Sequence, residues 1–230
     1  MGNWKQSGKV LTLAADASGA YQAALAGQAV LVVDVIDMGT TLEAALRSGA
    51  HLVLGASPTP CKAPVPVNPR AVGRYAAREA RKHKSRIVLI AEPRVGQEEE
   101  RMVQVAGVLE GLKEEGVEPR GIYPNLGAET VKLVDFGGCI VVAVSACGGT
   151  AFDAAFNAGA PVVTGTVART LGRTGWENAE SAVERALRLV EEEKCGLCVV
   201  ASSSKSLEDV LAAQYFYQRI LAGGFVSFRF

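Results

Sequence analysis

The apolar positions of this chain fall into two alternating rhythms. Short, nearly unbroken apolar runs at AVLVVDVI (29–36), RIVLIAE (86–92), GCIVVAVSA (138–146) and LCVVASS (197–203) predict strands buried on both faces. HLVLGAS (51–57) and PVVTG (161–165) read as two more. Between them lie stretches with helical spacing. TLEAALRSGA (41–50) is amphipathic and stops at Gly49, a glycine cap. A basic helix is expected over 70–84, one with an acidic first turn over 97–116, one at GTAFDAAFNAG, and charged amphipathic ones over 177–194 and from Ser206. The segment 57–69 carries five prolines and reads as an extended loop. Strands alternating with helices predict an α/β protein of three layers, α/β/α, around a mostly parallel or mixed sheet.

The pattern also repeats. Residues 32–55 laid over 142–165 align without a gap at an offset of 110. Gly39-Thr40 recurs as Gly149-Thr150, Gly49-Ala50 as Gly159-Ala160, and Gly55 as Gly165, while Glu43 falls on Asp153. An internal duplication follows. A lead-in (1–28) precedes two α/β halves, 29–120 and 121–230, that form one compact unit rather than independent domains.

The repeated element is a buried strand that ends in Gly-Thr and opens a helix. Such a turn presents N–H groups and a hydroxyl at the positive end of a helix, an arrangement suited to an anion. Equally, the glycines can simply permit a tight turn and the threonines cap their helices. In parallel sheets ligands lie beyond the carboxyl ends of the strands, where both loops are expected. The first loop carries Asp34 and Asp37; the second carries Val144 and Cys147. Asp34 interrupts an apolar strand, where a charge is costly unless paired or bound to a cation. A carboxylate beside a phosphate-binding loop is a usual way to hold Mg²⁺. Cys147, at a helix start that would stabilise a thiolate, is a nucleophile candidate or a small packing residue. Glu92 ends a strand, and either reaches the same edge or is a solvated loop carboxylate. Ser206-Leu-Glu-Asp209 has capping-box spacing, with Asp in place of the usual Glu.

Composition narrows the classes. With 24 basic and 24 acidic residues the net charge is zero, which argues against a nucleic-acid partner. No apolar run is long enough to span a bilayer, and the first residues, with Lys5 and Lys9 but no apolar core behind them, make a poor signal peptide. Five cysteines at irregular spacing fit free thiols in the cytoplasm better than a disulfide framework. Cys195 and Cys198 have redox or zinc spacing but lie at a predicted strand without a second ligand pair, and read as strand thiols.

These residues bring a family to view. VVDVIDMGTTLEAALRSGA, LIAEPRVG, IYPNLG, SACGGT and KSLEDVLAAQYF occur in the order of the motifs of the 2-phosphosulfolactate phosphatases, which the chain resembles from residue 29 onward. The resemblance implies a Mg²⁺-dependent hydrolase of a small phosphorylated acid, as in coenzyme M biosynthesis. It places Asp34, Glu92 and Asp209 in the catalytic set, Asp34 on the metal, and Asp37, Gly39, Thr40, Asn125, Gly148, Gly149, Thr150 and Ser206 around an anionic substrate. It leaves room for a homo-oligomer. The chain departs from the family's pattern within the site. Asp37 stands where the family has arginine, Gly148 where it has asparagine, and Ala91 where it has the glycine before the glutamate. Aspartate for arginine reverses the charge expected to clamp the anion. The alternative is therefore a divergent homologue that binds a small ligand or metal without phosphatase activity.

Overall fold

The computed structural model describes residues 10–225; Lys5 and Lys9 lie outside them. The chain is an α/β protein in which all strand pairing between named strands is parallel. Instead of one sheet it builds two. Strands β1 (Leu11–Ala15), β8 (Gly196–Ala201), β2 (Gln28–Val33) and β7 (Val162–Gly165) lie side by side in that order. The second sheet runs β3 (Leu52–Ala56), β6 (Ile140–Val144), β4 (Ile87–Ala91), β5 (Gly121–Pro124). Each sheet is covered by helices on both faces, the three-layer arrangement.

The repeat explains why there are two sheets. In the first copy, β2 feeds helix α2 (Met38–Arg47), which leads to β3 in the other sheet. In the second, β6 feeds α5 (Gly148–Asn157), which leads back to β7 in the first. The two copies thus cross between the sheets in opposite directions, and the boundaries of α2 and α5 differ by the same 110 residues as the sequence repeat. Both helices are enclosed, with every residue of Met38–Ala45 and of Gly148–Ala155 buried. That enclosure is why both are rich in Gly, Ala and Thr: a helix between layers has no solvent face. Gly55 shows how close the packing is, since a Cβ there would come within 2.5 Å of Met38 Sδ and 2.7 Å of Phe152 Cβ.

Outside this centre, α6 (Gly175–Glu193) and α7 (Leu207–Ala222) cover the first sheet, while α3 (Pro69–His83) and α4 (Glu98–Glu114) cover the second. The predicted elements in these positions form within a few residues of expectation. Residues 1–28, read as a lead-in, instead contain β1 and α1 (Asp16–Leu25). The strand is five residues long and the helix is held close to it: a Cβ on Gly19 would meet that of Ala14 at 2.8 Å. Strand β5 and the 3₁₀ turn over Gly127–Lys132 have no counterpart in the apolar pattern; β5 is four residues long and ends in proline. Among the described residues no helix is long and apolar enough to cross a membrane. All five cysteines are free, and Cys198 is buried within β8 as a strand thiol.

Candidate functional site

Because the strands within each sheet are parallel, Asp34 after β2, Glu92 after β4, Asn125 after β5, Ser145 after β6 and Ser202 after β8 leave from carboxyl ends. The ladders run into these residues. Asp34 N–H donates to Gly165 O (3.2 Å), Ser145 N–H to Ala56 O (3.2 Å), Ser202 N–H to Val33 O (2.8 Å) and Asn125 N–H to Ala91 O (3.0 Å).

Asp34 lies at the centre, with 2% of its surface exposed. Its Oδ1 accepts the Asp37 N–H at 2.9 Å, so the carboxylate occupies the N-terminus of α2 itself. Its Oδ2 has no hydrogen-bond partner. That oxygen lies against the first residue of α5, where a Cβ on Gly148 would fall only 2.0 Å away. Burial pushes the Asp34 carboxyl up to about 7; the N–H groups of Asp37 and Met38 oppose the shift, and the charges of Asp209 and Asp37 add to it.

Asp209 closes one side. Its Oδ1 accepts the Val35 N–H at 2.9 Å and its Oδ2 the Ser202 hydroxyl at 2.8 Å, so it ties the loop that carries Asp34 to the end of β8. The capping box expected at Ser206 is half formed. Ser206 caps α7 by accepting the Asp209 N–H at 3.2 Å, but the Asp209 side chain turns inward to Val35 instead of back to Ser206. Ser206 Oγ also donates to Glu208 at 3.1 Å, so its hydroxyl is engaged at the start of α7.

Asp37, Glu92 and Asn125 close the other side, and Asp37 and Glu92 are bridged by a residue that the sequence pattern does not single out. Arg94 donates to Asp37 Oδ1 at 2.9 Å and to Ile36 O at 3.1 Å, and its Nε is 3.7 Å from Glu92 Oε1. Glu92 Oε1 is buried without a hydrogen-bond partner. Burial pushes the Glu92 carboxyl up and Asp37 adds to the rise, while Arg94 and the Asn125 side chain pull it down. Asn125 is buried and accepts from the Thr41 hydroxyl and from Gly127 N–H. Arg94 carries no sequence signal, since its loop follows β4 with nothing to indicate that it folds toward Asp37.

Three donors of the expected anion cradle, the hydroxyls of Thr40 and Thr150 and the N–H of Gly149, are engaged within their own turns. The Thr40 hydroxyl donates to Val35 O at 2.5 Å and contacts Thr166 Oγ1 at 3.0 Å. In the second copy Thr150 repeats the bond to Ser145 O at 3.4 Å, and Gly149 N–H donates to Ser145 Oγ at 2.8 Å. Gly39 and Gly149 serve close approach, since a Cβ on either would meet a backbone oxygen, of Asp34 or Ala56, at 2.0 Å. The Gly-Thr pairs thus hold their turns, and the carboxylate at the start of α2 is the protein's own Asp34.

Cys147 is the N-cap of α5 and is exposed. The stabilised thiolate expected at that helix start is not favoured. Burial of the sulfur pushes the thiol up, and Asp34, Asp37 and Asp209 push it further. The repeated acids settle into structural roles as well. Glu43 pairs with Arg185 of α6 at 2.5 Å, and Asp153 accepts Ser57 N–H at 3.1 Å, Ser57 Oγ at 2.5 Å and Asn68 N–H at 2.7 Å.

The site is thus an acidic centre of Asp34, Asp37 and Glu92, buttressed by Asp209, with Arg94 as its cation. Among the described residues no group of three His, Cys, Asp or Glu side chains is placed to hold a metal by itself. The donors fit the sparser demand of Mg²⁺, which takes one or two carboxylates and completes its shell with water and substrate oxygens. The unpartnered Asp34 Oδ2 is the observation that supports the fit. No protein-family model matches the chain, and no curated protein matches it.

Proposed function

We propose that the chain is a Mg²⁺-dependent, phosphatase-like hydrolase of a small phosphorylated acid, similar to the 2-phosphosulfolactate phosphatases and acting in the cytoplasm. The observation that carries this reading is Asp34: a buried carboxylate with one oxygen held by Asp37 N–H and the other unpartnered at the start of α5. Leaving such an oxygen without a partner is costly, and a cation offsets that cost. Asp34 would hold the metal, with Glu92 or Asp37 beside it, and a bound Mg²⁺ would polarise the phosphoryl oxygens and lower the pKa of water. The chain's own residues supply orientation. Asp209 fixes the Asp34 loop through Val35 N–H and is itself held by the Ser202 hydroxyl, and Arg94 places a guanidinium beside Asp37. That guanidinium occupies the neighbourhood where the resemblance expects an arginine from the loop.

The second reading is a homologue that binds a small ligand or metal without hydrolysing it. Its support is that Thr40, Gly149 and Thr150 are engaged within their own turns. Phosphate release from a panel of small phosphorylated acids, phosphosulfolactate included, separates the two. Turnover that requires Mg²⁺ and stops with chelator is the expected result. A folded protein that turns over no member of the panel favours the second reading.

A further inference from the structure

Beside the acidic centre, on the far side of Cys147, a cleft of about 550 Å³ opens between the two sheets' carboxyl edges. The loop after β3 contributes Lys62 and the loop after β8 contributes Lys205. Both side chains are exposed, and among the described residues neither ammonium enters an ion pair. The helices α1 and α5 both start at this cleft; no side chain caps the first N–H groups of α1, while in α5 the Gly149 N–H is taken by Ser145 Oγ. The uncapped N-terminus of the ten-residue α1 adds partial positive charge to that of the lysines.

One carboxylate lines the cleft, and it is engaged: Asp16 Oδ1 accepts the Ser204 N–H at 2.8 Å. Asp16 holds a φ of 62°, uncommon for a residue with a side chain, at the point where α1 begins. Its bond ties the Ser203–Lys205 loop to the start of α1 and so sets the position from which Lys205 enters. Cys147 lines the same cleft and marks its border with the acidic centre. The first turn of α5 is therefore shared, with the Asp34 oxygen against Gly148 on one side and the lysine cleft beside Cys147 on the other.

We infer that Lys62 and Lys205 bind the carboxylate or sulfonate of the substrate, presenting its phosphoryl group across Cys147 to Asp34. This rests on the hydrolase reading for the phosphoryl half. The lysine cleft itself rests on its own charge and geometry.

The test is the double variant Lys62→Ala/Lys205→Ala, both sites being exposed loop positions. For the native chain and the variant, kcat/KM is measured for phosphosulfolactate and for glycerol 1-phosphate, which lacks the acid group. The ratio of the two values is expected to fall about 10- to 100-fold in the variant, the loss typical of a charge-assisted contact. A ratio within about threefold of the native one would overturn the inference. If the native chain cleaves neither ester, the hydrolase reading fails and calorimetric binding decides the cleft separately. Malate and its sulfonate analogue, sulfolactate, are titrated into both proteins. Binding of either at least about tenfold tighter to the native chain supports the cleft and shows which acid it takes. No binding, or equal binding by the two proteins, overturns it.

Discussion

Asp34 and Gly148 share one contact: the carboxylate oxygen lies where a side chain at 148 would begin, 2.0 Å from an ideal Cβ. The two residues belong to the two copies of the repeat, and the glycine lets the carboxylate of the first copy close onto the helix start of the second. This links one departure from the phosphatase pattern to a position that keeps to it. An asparagine at 148 would claim the volume that Asp34 Oδ2 now fills.

Gly148→Ala tests that contact. The methyl group and Asp34 Oδ2 cannot both keep their places, and Met38 Cε also lies within 3.0 Å of the same point. Overpacking of this kind typically costs about 1–3 kcal/mol. The lower end is expected here because a carboxylate can rotate. Mg²⁺ affinity, read by calorimetry, should fall at least about tenfold as the metal oxygen is displaced. Native affinity in the variant would show that the metal does not use this oxygen.

Removing the buried charge tests Asp34 itself. Its carboxyl titrates at 3.8 in the unfolded chain and at about 7 in the fold. Below the lower value both states are protonated and burial carries no charge penalty. Between the two values the folded chain keeps a proton that the unfolded chain has lost, so stability falls as pH rises. Above the upper value the whole penalty remains. The interval corresponds to at most about 4 kcal/mol, and relaxation around the charge should leave about 1–3 kcal/mol. Asp34→Asn, which keeps an acceptor for Asp37 N–H, should therefore melt several degrees above the native chain near pH 8 in chelator. The gap should close near pH 4, and Mg²⁺ should raise the native melting temperature but not the variant's. A variant less stable than the native chain near pH 8 would overturn the assignment of a penalised charge.

Asp209 belongs to the catalytic set by resemblance, and its hydrogen bonds give it a supporting role. Asp209→Ala leaves Val35 N–H and the Ser202 hydroxyl without their acceptor, at a cost of about 1–3 kcal/mol. Asp209→Asn retains an oxygen for Val35 N–H and should recover most of that loss. The check is chemical denaturation of both variants. Equal destabilisation by alanine and asparagine would mean that the charge, and not the acceptor, is what the loop requires.

How much of this is legible in the sequence varies by element. The runs at 29–36, 86–92 and 138–146 reveal themselves because strands buried on both faces lose the polar alternation. The duplication is visible because two enclosed helices need the same small residues at the same places. The split into two sheets is not visible, since an apolar strand carries no mark of its neighbours and the crossing of α2 and α5 is a tertiary fact. Asp34 stands out as a charge in an apolar run. Arg94 does not, because an exposed arginine in a Pro-Gly loop matches any surface, and only the folded chain brings it to Asp37. Lys62, in the proline-rich loop that follows β3, is silent for the same reason.

The Asp37–Arg94 pair gives the sharpest separation of structure from chemistry. Arg94 and Asp37 are 43% and 38% exposed, so solvent screens their attraction and breaking it should change stability by less than about 1 kcal/mol. Asp37 supports Asp34 through its backbone N–H, a bond that survives replacement of its side chain. Any large effect of these two side chains must then be on ligand binding. Asp37→Arg restores the residue type of the phosphatase pattern but sets two guanidinium groups together, which should displace Arg94. The double exchange Asp37→Arg/Arg94→Asp recreates the pair with its ends reversed. In a cycle of steady-state measurements, Arg94→Ala should raise KM for phosphosulfolactate about tenfold with little change in kcat, and the double exchange should recover most of that rise. If Arg94→Ala leaves KM unaltered, the guanidinium is only a lid on Asp37. The anion must then be bound without it.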